Sequence, residues 1–456
     1  MSREYEGKTA LVVGAARSGA AAAEFLLERG AKVVLTDRAP REQLAAHVEP
    51  LVARAGVAPL VLELGGHRAE SFRGCDFVVL SPGVPASLPE LDHSRAAGIP
   101  ILAEVELAYR HLKGKILGIT GSNGKTTTTT LVGEMLRGGG LRGYTAGNIG
   151  TPLIRYAASS QDADVYATEL SSFQLETIDR FRPAVAAILN LTPDHMDRYR
   201  SFDDYIAAKR RIFMNQCAAD FAVLNADDPR TAALAFEVPS TPVFFSRRGA
   251  VERGAFVRSG ELVYRGPGGE QAVCRREDIR LEGDHNLENV LAAAAIALLG
   301  GVDAATLRDS VRGFRGVEHR LEWVADVAGV SYFNDSKATN VDATVKSLEA
   351  FPGRIHLILG GRDKGGDFTT LRPLATARVR RAVLIGEAAG KIEEALSGAV
   401  EMTRAASLPE AVAVCRRRAE AGDVVLLAPA CASFDMFDNY EHRGRVFKEA
   451  VLALKG

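Results

Sequence analysis

Short runs of β-branched residues alternate with helical patterns along the whole chain, and this alternation constrains the fold more than any other feature. Strands separated by helices form parallel sheets, because a parallel connection must cross back over the sheet. A chain of 456 residues is long enough for about three domains. The sequence therefore predicts an α/β protein with three domains.

The predicted elements fall into three units, which span residues 1–103, 104–316 and 317–456. Strands are predicted at 11–13, 32–36 and 77–80, then at 115–120, 165–168, 185–190 and 221–225, and finally at 355–359, 383–385 and 424–428. A β-rich excursion at 241–274 and an apolar helix at 287–299, which is expected to close the second unit, complete the pattern.

Charge and cysteine content exclude several functional classes. Lys and Arg number 56 against 57 Asp and Glu, so no general attraction to nucleic acid or acidic membranes is expected. Five cysteines without CxxC spacing argue against a zinc site or a disulfide framework. The chain has no signal-peptide pattern, and its longest apolar run is shorter than the ~20 residues of a membrane helix. A cytoplasmic location is expected.

A glycine-rich loop, Gly121-Ser122-Asn123-Gly124-Lys125-Thr126, joins a predicted strand to a predicted helix. Glycines let backbone N–H groups surround phosphate oxygens, a lysine adds positive charge, and a threonine hydroxyl can bind Mg²⁺. The strict phosphate-loop pattern fails, because Ile119 stands where its first glycine belongs. The strand–loop–helix context still predicts a phosphate site rather than a surface turn.

A second glycine loop spans residues 14–19. The dinucleotide-binding pattern requires a glycine where Ala16 stands, so NAD chemistry is disfavoured. Asp37 follows the next predicted strand, where an acid can bind a ribose. Binding of some nucleotide is favoured over a plain turn.

Glu169 and His195 follow predicted strands of the second unit. Because ligands gather at the carboxyl ends of parallel strands, both are expected in one crevice with Lys125. Glu169 is a candidate Mg²⁺ ligand, with an acid near the N-terminus of the next helix as the alternative. His195 is equally well explained as a ligand or as a capping or core histidine.

Lys209 falls within an apolar helical stripe formed by Phe202, Ile206 and Phe213. An inward lysine is costly unless it is paired or chemically used, and burial lowers its pKa. A neutral amine can react with CO₂ to form a carbamate, an anion that binds metal. The alternative is a lysine that reaches solvent from the edge of the core.

Several segments together resemble the Mur ligases, the ATP-dependent enzymes that add amino acids in peptidoglycan synthesis. The segments span the chain: GITGSNGKTT (118–127), GNIG (147–150), ELSSFQLE (169–176), NLTPDHMDRY (190–199), AKRRIF (208–213), GDHNLEN (283–289), EHRLE (318–322), NDSKATN (334–340), LGGRDKG (359–365) and PACASFDMFDNYEHRG (429–444). The resemblance implies a Rossmann-like N-terminal domain, a central P-loop-type mononucleotide-binding α/β domain and a C-terminal Rossmann-like α/β domain.

The resemblance also implies roles for individual residues. Implied UDP contacts are Arg17, Ser18, Asp37, Arg38 and Gly83. Implied ATP contacts are Ser122, Asn123, Gly124, Lys125, Thr126, Thr127, Thr128, Asn286, Asn289, Arg320 and Asp335. Implied substrate contacts are Asn148, Lys337, Thr339, Lys364, Ser433 and Tyr440. Implied Mg²⁺ ligands are Thr126, Glu169, His195 and a carbamylated Lys209, and the implied catalytic residues are Lys125, His195 and Lys209. For Asn286 and Asn289, helix capping is the alternative.

The segments SPGVP (81–85), NDSKATN and ACASFDMF match the D-glutamate-adding members of the family. The diaminopimelate- or lysine-adding members carry a DNPR-like motif in the third domain, and residues 317–456 contain none. The implied partners are UDP-N-acetylmuramoyl-L-alanine and D-glutamate, with ATP and Mg²⁺ as cofactors and an acyl phosphate intermediate. No nucleic-acid or membrane partner is expected. The protein is expected to be a monomer. The alternatives are another Mur step, a folylpolyglutamate synthetase-like ligase, an NAD(P) oxidoreductase and a non-catalytic nucleotide-binding module.

Overall fold

The computed structural model describes residues 4–55, 59–195, 198–281, 283–363 and 365–455, apart from the side chain of Asp342. The chain divides into two compact units, Met1–Phe314 and Arg315–Gly456. The first unit contains two sheets and the second contains one. Among the described residues, no helix combines the length and the apolar character needed to span a membrane.

The first sheet is parallel and has the strand order β3-β2-β1-β4-β5. Its strands are β1 (Thr9–Val13), β2 (Lys32–Asp37), β3 (Leu60–Leu64), β4 (Phe77–Leu80) and β5 (Ile101–Ala103). Its helices are α1 (Arg17–Glu28), α2 (Arg41–Ala55), α3 (Ala69–Arg73) and α4 (Leu91–Ala96). The strand order reverses beside β1, which opens a crevice at the carboxyl ends of β1 and β4. The sequence did not predict β3, which is only partly buried, or the three-residue β5.

The second sheet has the order β14-β13-β12-β11-β10-β9-β6-β8-β7. Its strands are β6 (Lys115–Thr120), β7 (Arg142–Gly147), β8 (Asp164–Glu169), β9 (Val185–Ile188), β10 (Phe221–Asn225), β11 (Thr241–Ser246), β12 (Gly254–Arg258), β13 (Glu261–Gly266) and β14 (Gly269–Arg275). The antiparallel strands β12–β14 form the predicted excursion. Strands β8 and β9 are buried along their whole length, as expected for a parallel sheet covered on both faces.

Helices of this part of the chain are α5 (Glu104–Tyr109), α6 (Lys125–Gly138), α7 (Ser172–Leu175), α8 (Phe202–Arg210), α9 (Pro229–Ala233), α10 (Asp284–Gly300) and α11 (Ala304–Gly313). The prediction that the apolar helix at 287–299 is the last element of the predicted unit 104–316 was wrong. Helix α11 follows it and packs against α6 and β14.

The sheet of the second unit has the order β15-β16-β20-β17-β18-β19 and is parallel except for β15 at one edge. Its strands are β15 (Glu322–Val327), β16 (Val330–Asn334), β17 (Ile355–Gly360), β18 (Val379–Ile385), β19 (Glu401–Arg404) and β20 (Val424–Leu427). Its helices are α12 (Val341–Glu349), α13 (Arg372–Arg378), α14 (Ala389–Ala395), α15 (Leu408–Arg418) and α16 (Tyr440–Leu452).

Helix α5, which follows the first sheet, contains two fully buried glutamates with opposite surroundings. Glu104 accepts one hydrogen bond from the Ile154 N–H at 2.8 Å, while its Oε2 has no partner among the described residues. Burial raises the pKa of Glu104 to about 7. Burial also acts to raise the pKa of Glu106, but three backbone N–H groups at 179–181 and the Arg110 guanidinium outweigh it and hold that pKa below its usual value.

Because the surroundings of Glu104 and Glu106 differ, we expect a Glu→Gln substitution to have opposite effects on stability at the two positions. Folded Glu104 keeps its proton to about pH 7, so the native state loses stability as pH rises from the ordinary carboxyl pKa to that value. Glu104→Gln removes this loss, so its free energy of unfolding should gain on that of the wild type between pH 5 and pH 8, by up to about 3 kcal/mol, as measured by thermal melts at each pH. Glu106→Gln should lose about 1–3 kcal/mol at pH 8, since it disrupts a satisfied carboxylate. Parallel pH profiles for both variants would contradict this.

Candidate active site

The glycine loop at residues 121–124 connects β6 to α6, as the sequence predicts. Gly124 adopts a left-handed conformation with φ of 82° immediately before the helix. The Asn123 N–H donates to Asn190 Oδ1 at 2.8 Å, which ties the loop to the end of β9. The first N–H groups of a helix have no partner within it and can bind an anion. The predicted ATP-binding residues on this loop and first turn are Ser122, Asn123, Gly124, Lys125, Thr126, Thr127 and Thr128.

Two lysine side chains converge on the carbonyl oxygen of Gly121. Lys125 Nζ donates to this oxygen at 2.8 Å, and Lys209 Nζ donates to it at 2.9 Å. Two ammonium charges that share one acceptor repel each other, and repulsion is strong where water is scarce. A phosphate anion beside them would relieve the repulsion.

Lys209 faces the protein interior, as its place on the helical stripe predicts, and is only 1% exposed. Its Nζ lies 4.5 Å from the centre of the Tyr205 ring and 3.5 Å from Thr120 Oγ1. Burial, and then the nearby charge of Lys125, hold the pKa of Lys209 well below its ordinary value. The neutral, nucleophilic amine is therefore favoured.

Glu169 is buried at the end of β8, beside the glycine loop. Its Oε1 accepts a hydrogen bond from Asn148 Nδ2 at 3.0 Å, while its Oε2 has no hydrogen-bond partner among the described residues. A buried carboxylate oxygen is costly to leave unpaired, so this atom is suited to a cation. Ser171, not Glu169, caps α7, by accepting from the Gln174 N–H.

His195 lies in the loop after β9, with a left-handed φ of 55°. Its side chain is 48% exposed, and its ring centre lies 4.9 Å from that of Phe173. His195 is therefore not a core histidine, and Ser201 takes the capping position of α8. Glu169 and Asp194 both lie near enough to act on the pKa of Lys209, so the carboxyl end of β8 and the loop after β9 both adjoin this side chain.

Arg198, which the sequence did not single out, connects the His195 loop to the first sheet. Its Nη2 donates to the Val84 carbonyl oxygen at 3.1 Å, and its guanidinium carbon lies 3.5 Å from the centre of the Phe173 ring. Phe173 also contacts His195. One side chain thus holds the SPGVP segment against the loop that carries His195.

Asn286 and Asn289, two of the predicted ATP contacts, lie near the start of α10. Gly283 precedes this helix and no side chain caps it, so the capping alternative was wrong. Asn289 is buried; it accepts from Thr128 Oγ1 at 3.5 Å and donates to Asn286 Oδ1 at 3.2 Å. Both asparagines therefore adjoin the phosphate loop.

A cavity of about 510 Å³ opens at the carboxyl ends of β1, β2 and β4. Its lining includes all five residues predicted to contact UDP, together with Asn148: Arg17, Ser18, Asp37, Arg38 and Gly83. Asp37 shapes the wall, since its carboxylate accepts from the N–H groups of Ala15 and Ala39 at 2.7 and 2.8 Å. The exposed guanidinium groups of Arg17 and Arg38 suit a diphosphate.

In the unit Arg315–Gly456, four of the predicted amino-acid contacts lie in the loops after β16 and β20 or at the start of α16: Lys337, Thr339, Ser433 and Tyr440. Arg443 of α16 is fully buried and joins these loops. Its guanidinium donates to the hydroxyl and carbonyl oxygens of Ser336, both at 2.9 Å, and to the Cys431 carbonyl oxygen at 3.1 Å. Lys337 Nζ lies 6.0 Å from the Tyr440 ring centre, so the two loops face one site.

The two predicted ATP contacts in the unit Arg315–Gly456 differ in exposure. Asp335 is buried after β16 and accepts from the Ser347 hydroxyl, and burial raises its pKa against the effect of that bond and of Arg320. Arg320 is exposed. Arg320 is therefore accessible to a ligand, whereas Asp335 is enclosed by the surrounding residues.

Among the described residues, the only three potential metal-ligand side chains whose donor atoms lie within 4.8 Å of one another are Glu318, His319 and Glu322. Lys448 Nζ lies 2.9 Å from Glu318 Oε1 and 2.6 Å from Glu322 Oε1. This cluster already contains its cation and is an ion-pair group rather than a metal centre.

Lys364, a predicted amino-acid contact, lies outside the described residues. Its neighbour Asp363 accepts from the Gly365 N–H at 2.8 Å and from Lys391 Nζ at 2.7 Å. The Arg362 N–H donates to the Ala432 carbonyl oxygen at 2.9 Å. The Arg362-Asp363 pair therefore shapes its own loop.

Gly124→Ala should weaken binding of adenine nucleotides at least about tenfold, because a Cβ there would lie 2.1 Å from the buried Asn289 Oδ1. Gly140→Ala is the matched control, since Gly140 has a similar φ of 71° and nothing within 4 Å of an added Cβ. Both variants carry left-handed strain of about 1–2 kcal/mol, but only the first displaces the loop. Calorimetric titration with an ATP analogue, alongside melting temperatures, measures both effects; equal nucleotide affinities would refute the steric argument.

Comparison with known proteins gives a consistent result over the chain. Residues 8–103, 119–297 and 319–431 match family models described as "Mur ligase MurD-like, N-terminal domain", "Mur ligase middle domain" and "Mur ligase, glutamate ligase domain". A relative from Acidobacterium capsulatum is 51% identical over 455 residues, covering 99% of this chain and 98% of the relative. One from Koribacter versatilis is 49% identical over 448 residues, covering 98% of each. Both are named UDP-N-acetylmuramoylalanine–D-glutamate ligase.

Solved structures agree on the fold. The UDP-N-acetylmuramate-alanine ligase of Thermotoga maritima superimposes with a TM-score of 0.57 at 20% identity, over 98% of this chain and 99% of that one. The predicted three-domain α/β architecture is thereby confirmed. With the family models and the close relatives, these matches show that the chain belongs to the Mur ligase family.

Proposed function

We propose that this protein adds D-glutamate to UDP-N-acetylmuramoyl-L-alanine at the expense of ATP, in cytoplasmic synthesis of peptidoglycan precursors. The observation that carries the proposal is the crevice at the end of β6, where two converging lysines are suited to a phosphate and the unpaired oxygen of Glu169 is suited to a cation. The names of the close relatives supply the substrates.

The residues of this crevice fit Mg²⁺. The Glu169 carboxylate has a buried oxygen available for a cation, Thr126 provides a hydroxyl in the first turn of α6, and the His195 ring is exposed to a ligand. Together with a carbamylated Lys209, these residues would hold the ion. When bound, Mg²⁺ neutralises negative charge on the transferring phosphoryl group.

The first step transfers the γ-phosphoryl group of ATP to the L-alanyl carboxylate. The bond between the γ-phosphorus and its bridging oxygen breaks, a carboxylate oxygen forms the new bond, and ADP leaves. Lys125 and the N–H groups of the first turn of α6 stabilise the charge that spreads over the phosphoryl oxygens. Lys209, which is buried, positions the glycine loop through its hydrogen bond to the Gly121 carbonyl oxygen.

The second step forms the amide bond. The D-glutamate nitrogen attacks the acyl carbon, and phosphate leaves from the tetrahedral intermediate with the electron pair of its bridging bond. The attacking nitrogen loses a proton, for which His195 and a water molecule beside Lys209 are the two candidate acceptors. Because an acyl phosphate hydrolyses readily, exclusion of water favours this step.

The remaining predicted residues bind the two substrates. Arg17, Ser18, Asp37, Arg38 and Gly83 hold the UDP group in the cavity of the first sheet, with Asn148 beside them. Lys337, Thr339, Lys364, Ser433 and Tyr440 bind D-glutamate, and Asn286, Asn289, Arg320 and Asp335 complete the ATP site. We place the domain boundaries at 103/104 and 316/317 and propose that the enzyme acts as a monomer.

Lys209→Ala should reduce kcat at least about 100-fold, because it removes the buried amine and any carbamate formed on it. Short carboxylic acids should restore part of the activity by supplying the missing anion in the cavity. Lys115→Ala is the control, since Lys115 is exposed at the opposite end of β6. Full activity of Lys209→Ala, or equal effects of acetate on both variants, would refute the carbamate role.

Amino-acid specificity separates this proposal from the other Mur steps and from a folylpolyglutamate synthetase-like ligase. With UDP-N-acetylmuramoyl-L-alanine, ADP release should be at least about 100-fold faster with D-glutamate than with L-glutamate or diaminopimelate. Hydroxylamine should trap an acyl hydroxamate during turnover. Preference for another amino acid would reassign the step, and absence of a trapped acyl species would refute the mechanism.

A further inference from the structure

His67 lines the cavity of the first sheet and is not among the residues that the family resemblance assigns to it. It follows β3, the strand that the sequence did not reveal. Because β3 is parallel to β2, its carboxyl end opens on the same edge of the sheet as Asp37. His67 thus lies in the loop after β3, at the same edge of the sheet as Asp37 at the end of β2.

The surrounding residues fix the orientation of the His67 ring. Nδ1 lies 2.9 Å from the hydroxyl oxygen of Thr36, a residue with no exposed surface, and the ring meets Phe72 edge-on at 5.9 Å between centres. The Thr36 hydroxyl also lies 3.3 Å from the Gly66 carbonyl oxygen. These contacts hold one edge of the ring against the wall of the cavity.

The same contacts accommodate a tautomer with hydrogen on Nδ1. A carbonyl oxygen can only accept, so a Thr36 hydroxyl that donates its single hydrogen to Gly66 leaves its own oxygen to accept from His67. In this arrangement Nδ1–H donates to the hydroxyl oxygen. In a neutral ring this leaves a lone pair on Nε2, which has no hydrogen-bond partner among the described residues.

The electrostatic surroundings keep the ring neutral. Burial lowers the pKa of His67, and this effect outweighs the carboxylates of Glu90, Asp37 and Glu63, which act in the opposite direction. The guanidinium of Arg38 also lowers it. The cavity therefore offers two kinds of group: guanidinium donors suited to phosphate, and one neutral acceptor that phosphate cannot use.

We propose that His67 is a specificity-determining residue of this cavity, whose Nε2 accepts a hydrogen bond from the nucleoside of the bound UDP group. The donor is either the N3–H of the uracil ring or a ribose hydroxyl, both of which present hydrogen to a lone pair. Each is absent from phosphate itself, so His67 reads the nucleoside while the arginines bind the diphosphate. The inference rests on the proposed UDP-linked substrate.

The two ring nitrogens can be separated by substitution. His67→Asn places an amide N–H near the position of Nδ1, which preserves donation to Thr36 but removes the acceptor in the cavity. His67→Gln places an amide oxygen near the position of Nε2. His93→Asn is the control, because His93 lies on α4, contacts Arg73 and does not line the cavity.

Calorimetric titration of the full-length protein would compare UDP with 3-methyl-UDP, 2′-deoxy-UDP and 3′-deoxy-UDP. The wild type and His93→Asn should bind one of the modified nucleotides about threefold to tenfold more weakly than UDP, the value of one neutral hydrogen bond. That nucleotide identifies the donor. His67→Asn should bind UDP and that analogue equally, at the weaker affinity and with an unchanged melting temperature, and His67→Gln should restore part of the difference.

The outcomes distinguish this inference from the function on which it rests. If the wild type binds UDP but His67→Asn keeps the wild-type affinity and the wild-type discrimination between nucleotides, His67 does not read the nucleoside. If His67→Asn loses UDP affinity only with a fall in melting temperature and His67→Gln restores neither, its role is structural and the inference is wrong. If the wild type binds none of these nucleotides, the proposed UDP-linked substrate is itself refuted.

Discussion

The convergence of Lys125 and Lys209 on the Gly121 carbonyl oxygen is the constraint on which the candidate active site depends. A folded chain does not keep two ammonium groups on one acceptor unless one loses its charge or an anion joins them. Burial pushes Lys209 toward the neutral amine, while Lys125 lies on the accessible first turn of α6. The arrangement of these side chains thus suits phosphate and chemistry at the Lys209 nitrogen.

The sheet topology delivers these groups together. Strand β6 lies between β8 and β9, so the loops after all three strands open on one edge. Hydrogen bonds then tie the loops to one another: the Ser122 hydroxyl donates to the Thr192 carbonyl oxygen at 2.8 Å, and the Tyr205 hydroxyl donates to Ser122 Oγ at 3.1 Å. The phosphate loop is held from outside as well as by its own glycines, which keeps its N–H groups directed at one point.

The spacing of residues within single segments predicted those parts of the site that one segment of the chain forms by itself. The glycine loop and the inward position of Lys209 both follow from residues within one strand–loop–helix segment or one helix. Tyr205 could have been found by the same reasoning, since it lies four residues before Lys209 on the same helical face. His67 and Arg443 could not, because their roles depend on a partly buried strand and on two loops that are distant in sequence. Pairing across a sheet is not encoded in a short window.

Arg443 and Lys209 show how buried charges that build a scaffold differ from buried charges that do chemistry. Arg443 is fully buried and burial lowers its pKa to about 10, yet its guanidinium has hydroxyl and carbonyl acceptors in two loops. Its charge is therefore satisfied, and its planar geometry makes the loops rigid. Lys209 shares its acceptor with another lysine and lies within electrostatic reach of Glu169, whose second carboxylate oxygen is unpaired among the described residues. A buried group placed in this way either loses its charge or joins an anion, so the distribution of satisfied and unsatisfied groups itself points to the place of the chemistry.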